Sequence, residues 1–207
     1  MIDIRGVTIR YPNRSIAIPR DLSVPAAGCF LIAGDNGCGK SSLVRAVLRL
    51  HDDFGGKIEI DGKDNRSMSR TGIARKVSYL PQVTPVEPSV VISEFVLQGL
   101  YAQEGITDAS ALLKETAAGL GIDKFLQRDY LELSGGERQL CRIARALIAP
   151  CAYSFLDEGD AFLSRKNRAR FYDYIERISD DRAVVLVTHA PADVPKRFET
   201  LLEIYEG

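Results

Sequence analysis

The chain has 207 residues, of which 45% are hydrophobic and 27% charged, with a formal net charge of −1. Such a composition suits one globular domain with a substantial core, and the balanced charge gives no general affinity for nucleic acid or an anionic membrane surface. No apolar run is long enough to span a bilayer, so any membrane role is read as peripheral.

The opening "MIDIRGVTIRYP" alternates like a strand and lacks the cationic and apolar regions of a signal peptide. "GCFLIAG" is a compact apolar run, and "GGKIEIDGK" reads as a short strand between glycine turns. "CFLIAG", a glycine loop and "SSLVRAVLRL" follow in the order strand, loop, helix, and the helix is expected to carry Leu43, Val47, Leu48 and Leu50 on one side. "KVSYL" is a buried strand that stops at Pro81.

From residue 83 to 133 the character changes. "SVVISEFVLQGLYAQ" and "DASALLKETAAGLGI" have helical periodicity, with Ser and Asp available as N-caps, and read as a helical insertion between two strands of the main sheet. "LSGGERQLCRIARALIA" opens a further helix with Leu140, Ile143, Ala144, Leu147 and Ile148 on one face. "CAYSFLDE" and "AVVLVTHA" are β-rich runs suited to a central parallel sheet. Strands alternating with helices around a glycine loop make an α/β fold. The basic run "SRKNRAR" reads as a solvated helix face. Cys29, Cys38, Cys141 and Cys151 show no CxxC spacing and read as reduced thiols.

The chemistry concentrates in a few places. Gly34-x-x-x-x-Gly39-Lys40-Ser41 matches the phosphate-loop pattern and lies between a strand and a helix. Backbone N–H groups of Gly34, Asp35, Asn36, Gly37, Cys38 and Gly39 can face phosphates, and the helix start adds a favourable dipole. Lys40 is expected to reach the β- and γ-phosphates of a nucleoside triphosphate, and Ser41, followed by Ser42, to offer a hydroxyl to Mg²⁺. Cys38 reads as a small residue that fits, with redox sensitivity of nucleotide binding as the alternative. "YSFLDE" places Asp157 at a strand end, beside the magnesium, and Glu158 where it can polarise a water. "LSGGERQ" sets Ser134, Gly135 and Gly136 at a second helix start, with Glu137 able to close a capping box. Only the first start has the lysine and the magnesium hydroxyl, so the second is read as serving a nucleotide held by another copy.

Taken together, these motifs resemble the ATP-binding cassette (ABC) ATPases over nearly the whole length. The phosphate loop, Gln82 after "SYLP", the "LSGGE" signature, "FLDE" and His189 in "VTHA" stand in that family's order. The resemblance implies a phosphate-loop NTPase core with a mainly parallel sheet (residues 1–82 and 134–207), an N-terminal antiparallel β subdomain within it, and a helical subdomain at 83–133, all in one domain of 1–207. It also implies a head-to-tail dimer, homomeric or heteromeric, with two ATP molecules between the subunits. Ser134, Gly135 and Gly136 would then contact the partner's γ-phosphate. Gln82 would touch Mg²⁺ and the attacking water, His189 would contact the γ-phosphate and hold Glu158, and Tyr11 would stack on adenine.

One departure is "LDEGDAFLS" where the family has "LDEPTSALD". Gly159, Asp160 and Ala161 replace Pro, Thr and Ser, and Ser164 takes the place of the Asp that communicates across the dimer. Hydrolysis is still expected because Glu158 is kept. The run "MSRTGIARKVSYLPQ" followed by "VISEFVLQGLYAQ" resembles the subgroup that imports iron chelates, vitamin B12 and related metal compounds. That likeness implies an ATPase on the cytoplasmic face of the membrane whose helical subdomain docks a permease, with a substrate-binding protein as a further partner and no nucleic acid. A soluble cassette ATPase in cofactor assembly or repair, and an ATP-driven dimerisation switch with low turnover, remain the alternatives.

Overall fold

The computed structural model describes residues 1–82 and 89–204. In chain order the first half runs β1 (Ile2–Tyr11), β2 (Arg14–Ala17), β3 (Leu22–Val24), β4 (Gly28–Gly34), α1 (Lys40–Val47), β5 (Phe54–Ile60), β6 (Lys63–Asp64), α2 (Arg70–Ala74) and β7 (Val77–Leu80). The second half runs α3 (Ile92–Leu97), α4 (Ala109–Leu120), α5 (Gly135–Leu147), β8 (Tyr153–Asp157), α6 (Arg165–Ile178), β9 (Ala183–Thr188) and β10 (Glu199–Ile204).

Two sheets form. The first is antiparallel, in the order β2-β1-β5-β6, with β3 also pairing β1. The second is parallel, in the order β10-β4-β9-β8-β7. Side chains alternate across β4: Leu31 and Ala33 join the core shared with α3, α4, α5 and α6, while Phe30 and Ile32 join the core shared with α1 and the antiparallel sheet. The central strands β8 and β9 are buried on both faces, which is why they read as continuous apolar runs.

The helix following the phosphate loop is shorter than its apolar pattern. It ends at Val47, with Leu48 as C-cap, and Arg49 then takes a left-handed φ of 55°. Leu43, Val47 and Leu48 are buried as expected, but Leu50 lies beyond the helix and is 58% exposed. The stop is set from a distance: the side-chain amide of fully buried Asn65 donates to the carbonyls of Ala46 (2.9 Å) and Val47 (3.0 Å). Both carbonyls belong to the last turn of the helix, where intrahelical donors run out, and Ala46 O also accepts from Arg49 N at 3.2 Å. Replacing Asn65 with Ala removes both of these bonds in a buried setting, so Asn65→Ala is expected to destabilise the chain by about 1–3 kcal/mol, read as a melting-temperature drop of several degrees.

In the helical part, Asp108 caps α4 by accepting from Ala111 N (2.8 Å), and Tyr130 packs on Phe95 at 4.7 Å between ring centroids. The helical reading of "SVVISEFVLQGLYAQ" is met by a short α3 continued by a single 3₁₀ turn at 98–100. Residues 83–88 of the expected insertion lie outside the described residues. Among the described residues no helix is long and apolar enough to cross a membrane.

Candidate functional site

The parallel sheet brings the predicted site together. The carboxyl ends of β4, β7, β8 and β9 lead respectively into the phosphate loop, Pro81–Gln82, Asp157–Glu158 and His189. Strand carboxyl ends in an open α/β sheet are where ligands bind. A cavity of about 280 Å³ opens there, lined by Asn36, Gly37, Gly39, Lys40, Ser41, Ser42, Gln82, Asp157 and Glu158, together with Arg14 and Arg45.

Within the loop, Gly37 and Gly39 adopt left-handed φ values of 83° and 111°. A Cβ at Gly39 would meet Ile16 Cγ2 of β2 at 2.5 Å, so glycine is required there by backbone and neighbour alike. Asp35, Asn36 and Gly37 are exposed, whereas Cys38 is buried against Gly34. Lys40 is 6% exposed, and its ammonium donates to the carbonyls of Gly34 and Asp35, both at 2.7 Å. It is thus held at the loop's own rim, beside the concave row of backbone amides.

Asp157 is buried at the end of β8. Burial pushes its carboxyl above the ordinary aspartate range, and a hydrogen bond with the Ser41 hydroxyl partly counters this. The Tyr79 hydroxyl donates to Asp157 Oδ2 at 3.4 Å, and burial followed by the Asp157 charge pushes that phenol up to about 12, so it stays protonated. Glu158 carries a left-handed φ of 53°, anchored by its N–H donating to Val187 O at 2.8 Å. Such a backbone costs of order 1–3 kcal/mol and persists where its surroundings over-determine it. Its carboxylate meets His189 Nδ1 at 2.9 Å.

The donor set fits ATP with magnesium. Two left-handed glycines bring Cβ-free backbone to the loop, a buried ammonium lies at its edge, and a hydroxyl and a carboxylate converge as hard oxygen donors. Among the described residues no cluster of three His, Cys, Asp or Glu side chains could hold a metal by itself. Mg²⁺ commonly takes one or two protein oxygens plus phosphate and water, which matches Ser41 and Asp157.

Tyr11 and the signature residues do not themselves line this cavity. Tyr11 ends β1, donates its hydroxyl to Ser42 Oγ (2.9 Å), and rests its ring on His51 at 4.6 Å. Ser134 and Glu137 close the expected local pair: Glu137 Oε2 accepts from the Ser134 N–H (3.0 Å) and hydroxyl (2.7 Å). Those two bonds, with the Ser134 hydroxyl first, hold the Glu137 carboxyl below its usual range. Neither Gly135 nor Gly136 lines the cavity, so the second helix start does not face the phosphate loop of its own chain.

The unusual segment after Glu158 is tied inward. Gln139 Nε2 of α5 donates to Gly159 O at 3.1 Å, and buried Asp160 accepts from the Tyr172 hydroxyl at 2.8 Å. Asp160 is therefore turned into the core, unlike a carboxylate offered to a neighbour. Ser164 caps α6, accepting from Asn167 N at 3.3 Å.

Sequence reasoning passed over Tyr79 and Arg14. Tyr79 reaches Asp157 only through the pairing of β7 with β8. Arg14 had a local signal: the two-residue turn in "YPNR" makes Tyr11 and Arg14 cross-strand partners.

Fold and site define a phosphate-loop α/β nucleotide-hydrolysing domain with a helical layer against one face of its sheet. The sequence profile described as ABC transporter matches residues 19–161, and the chain belongs to that family as an ATPase subunit of transporters. The chain is 28% identical over 195 residues to the petrobactin import ATP-binding protein FpuD of Bacillus anthracis, covering 91% of this chain and 71% of that one. It is 28% identical to the cobalamin import ATP-binding protein BtuD of Halobacterium salinarum, covering 100% of this chain and 53% of the relative. Among solved structures, a bacterial Atm1-family ABC exporter with ATP bound superposes with a TM-score of 0.83 at 21% identity, over 98% of this chain and 37% of the exporter chain. That last likeness concerns the fold.

Proposed function

We propose that this chain hydrolyses MgATP as one of two subunits that drive a membrane importer of a metal or metal chelate. The observation that carries the transport reading is an apolar groove of about 530 Å³ between α2, β7, the 98–102 segment and α5. Tyr101 and Leu50 line it, 96% and 58% exposed, and together with the groove they present the kind of contiguous apolar patch that marks an interaction site. We assign it to a cytoplasmic helix of a permease, laid apolar face down. Gln98, Gly99, Tyr101 and Ala102, from the helical unit assigned to 83–133, form one wall of that dock, against residues of the core assigned to 1–82 and 134–207. Import of a metal compound rests on the relatives named for petrobactin and cobalamin import and on the "SRTGIARKVSYLPQ" resemblance. The chain then works at the cytoplasmic face of the membrane, with a substrate-binding protein on the far side and no nucleic acid partner.

In the catalytic site Lys40 would leave its loop carbonyls for the β- and γ-phosphate oxygens, and Ser41 and Asp157 would hold the metal. Bound Mg²⁺ supplies positive charge against the phosphate oxygens. Glu158, oriented by His189, takes the proton of the attacking water. Gln82 lines the cavity, where it would touch Mg²⁺ and the attacking water and relay the nucleotide's state to the helical unit. Ser134, Gly135 and Gly136 close over the nucleotide of a second subunit, while Tyr11 faces the base of the chain's own nucleotide.

Affinity purification of the chain from its native membrane tests the transport reading. A polytopic membrane protein is expected to co-purify, and Tyr101→Asp is expected to lose it while keeping MgATP binding. A soluble scaffold as the sole companion would replace this reading with cofactor assembly or repair.

A further inference from the structure

We propose that Arg14 is a further nucleotide-binding residue, a cation that the β1–β2 hairpin delivers to the phosphates; the inference rests on the ATP-site reading above. The register pairs Tyr11 directly with Arg14 across a two-residue turn at Pro12–Asn13. Alternation puts Arg14 and Ile16 on the same face of β2. That face is the one docked on the phosphate loop, since Ile16 Cγ2 occupies the space where a Gly39 Cβ would be, 2.5 Å away. A second tie fixes the other strand of the hairpin, through Tyr11 Oη donating to Ser42 Oγ at 2.9 Å. The hairpin is therefore a wall of the site, and Arg14 points along that wall into the cavity it lines.

Three cationic side chains line this cavity, and they are differently committed. Lys40 is held by two loop carbonyls. Arg45 acts on Asp157 and Tyr79, inside the protein's own network. Arg14 rests its guanidinium over the Tyr11 ring, 5.5 Å from the centroid. A cation on an exposed aromatic face is held by only about 0.5–1 kcal/mol. A phosphate oxygen binds a guanidinium more strongly, in the bidentate geometry that arginine alone offers. The cavity also holds two carboxylates, Asp157 and Glu158, so a polyanion entering it gains from any added positive charge. When the phosphates bind, Arg14 moves from ring to oxygen, and the Tyr11 face it covered is released to the base.

The test is calorimetric titration of the full chain with MgATP and, separately, with inorganic tripolyphosphate and magnesium. Arg14→Ala is expected to weaken both ligands about tenfold, the equivalent of one charge-assisted hydrogen bond, and Arg14→Lys, which keeps the charge but not the bidentate fork, to recover only part of the ATP affinity. The difference between Arg14→Ala and wild type is expected to shrink as salt rises. Wild-type affinity for both ligands in Arg14→Ala would overturn the proposal. So would a loss for ATP with none for tripolyphosphate, which would place the arginine's effect on the base side. Failure of the wild-type chain to bind either ligand would overturn the ATP-site reading itself.

Discussion

Glu158→Gln is expected to slow ATP hydrolysis by on the order of 10²–10⁴ while leaving MgATP binding intact. The amide keeps the shape of the carboxylate beside His189, where Glu158 Oε1 and Nδ1 lie 2.9 Å apart, but it cannot accept the proton of an attacking water. The fold is not at risk. The strained backbone at φ 53° is held by the Glu158 N–H bond to Val187 O, which the substitution does not touch. With hydrolysis blocked, the ATP-bound pair of subunits has no exit and is expected to accumulate. Phosphate release measures the first effect, and size-exclusion chromatography with and without ATP measures the second. Turnover at the wild-type rate would remove Glu158 from the catalytic role.

What the sequence made legible is what neighbouring residues decide among themselves. The phosphate loop could be placed because strand, glycines, lysine, hydroxyl and helix follow one another without interruption. Asp108 at the start of α4 and the Ser134–Glu137 pair are likewise local chemistry, and both are found as expected. Leu50 was misplaced because apolar periodicity continues past the point where the helix stops, and the residue helping to cap that end, Asn65, lies far along the chain. The same limit hid Tyr79, whose approach to Asp157 depends on strand pairing. "GDAFLS" is the instructive case. Read as a string, it shows only that Asp160 stands where the family has Thr, not which way its carboxylate turns. In the fold, α6 presents the Tyr172 hydroxyl from the core side and Asp160 turns to meet it. Burial, followed by the Asp160 charge, pushes that phenol up, so it remains the donor of the pair. Side-chain direction at a loop is set by the element packed behind it, which no short window of sequence contains.

Gly135→Ala is the second large effect, and it separates what the chain needs to fold from what a partner needs to act. An added Cβ at Gly135 meets nothing within 4 Å, whereas one at Gly136 meets Phe162 O at 3.1 Å. Inside its own subunit, then, position 135 has no steric reason to be glycine, and alanine in the first turn of α5 favours the helix by roughly 0.5–1 kcal/mol. The variant is expected to melt at the wild-type temperature or slightly above. Gly135 lies off the cavity that holds the chain's own nucleotide, so MgATP affinity of the isolated subunit should not change. If the open space belongs to the γ-phosphate held by a second subunit, the methyl group stands where backbone amides must close on that phosphate. Hydrolysis then falls by on the order of 10²–10³, the usual effect of displacing one preorganised donor from a transition state. Loss of turnover with unchanged melting and unchanged single-subunit binding is a combination that a role confined to one chain does not produce. Full turnover in Gly135→Ala would leave the second helix start as a capped helix and nothing more, and would separate it from the chemistry at Glu158.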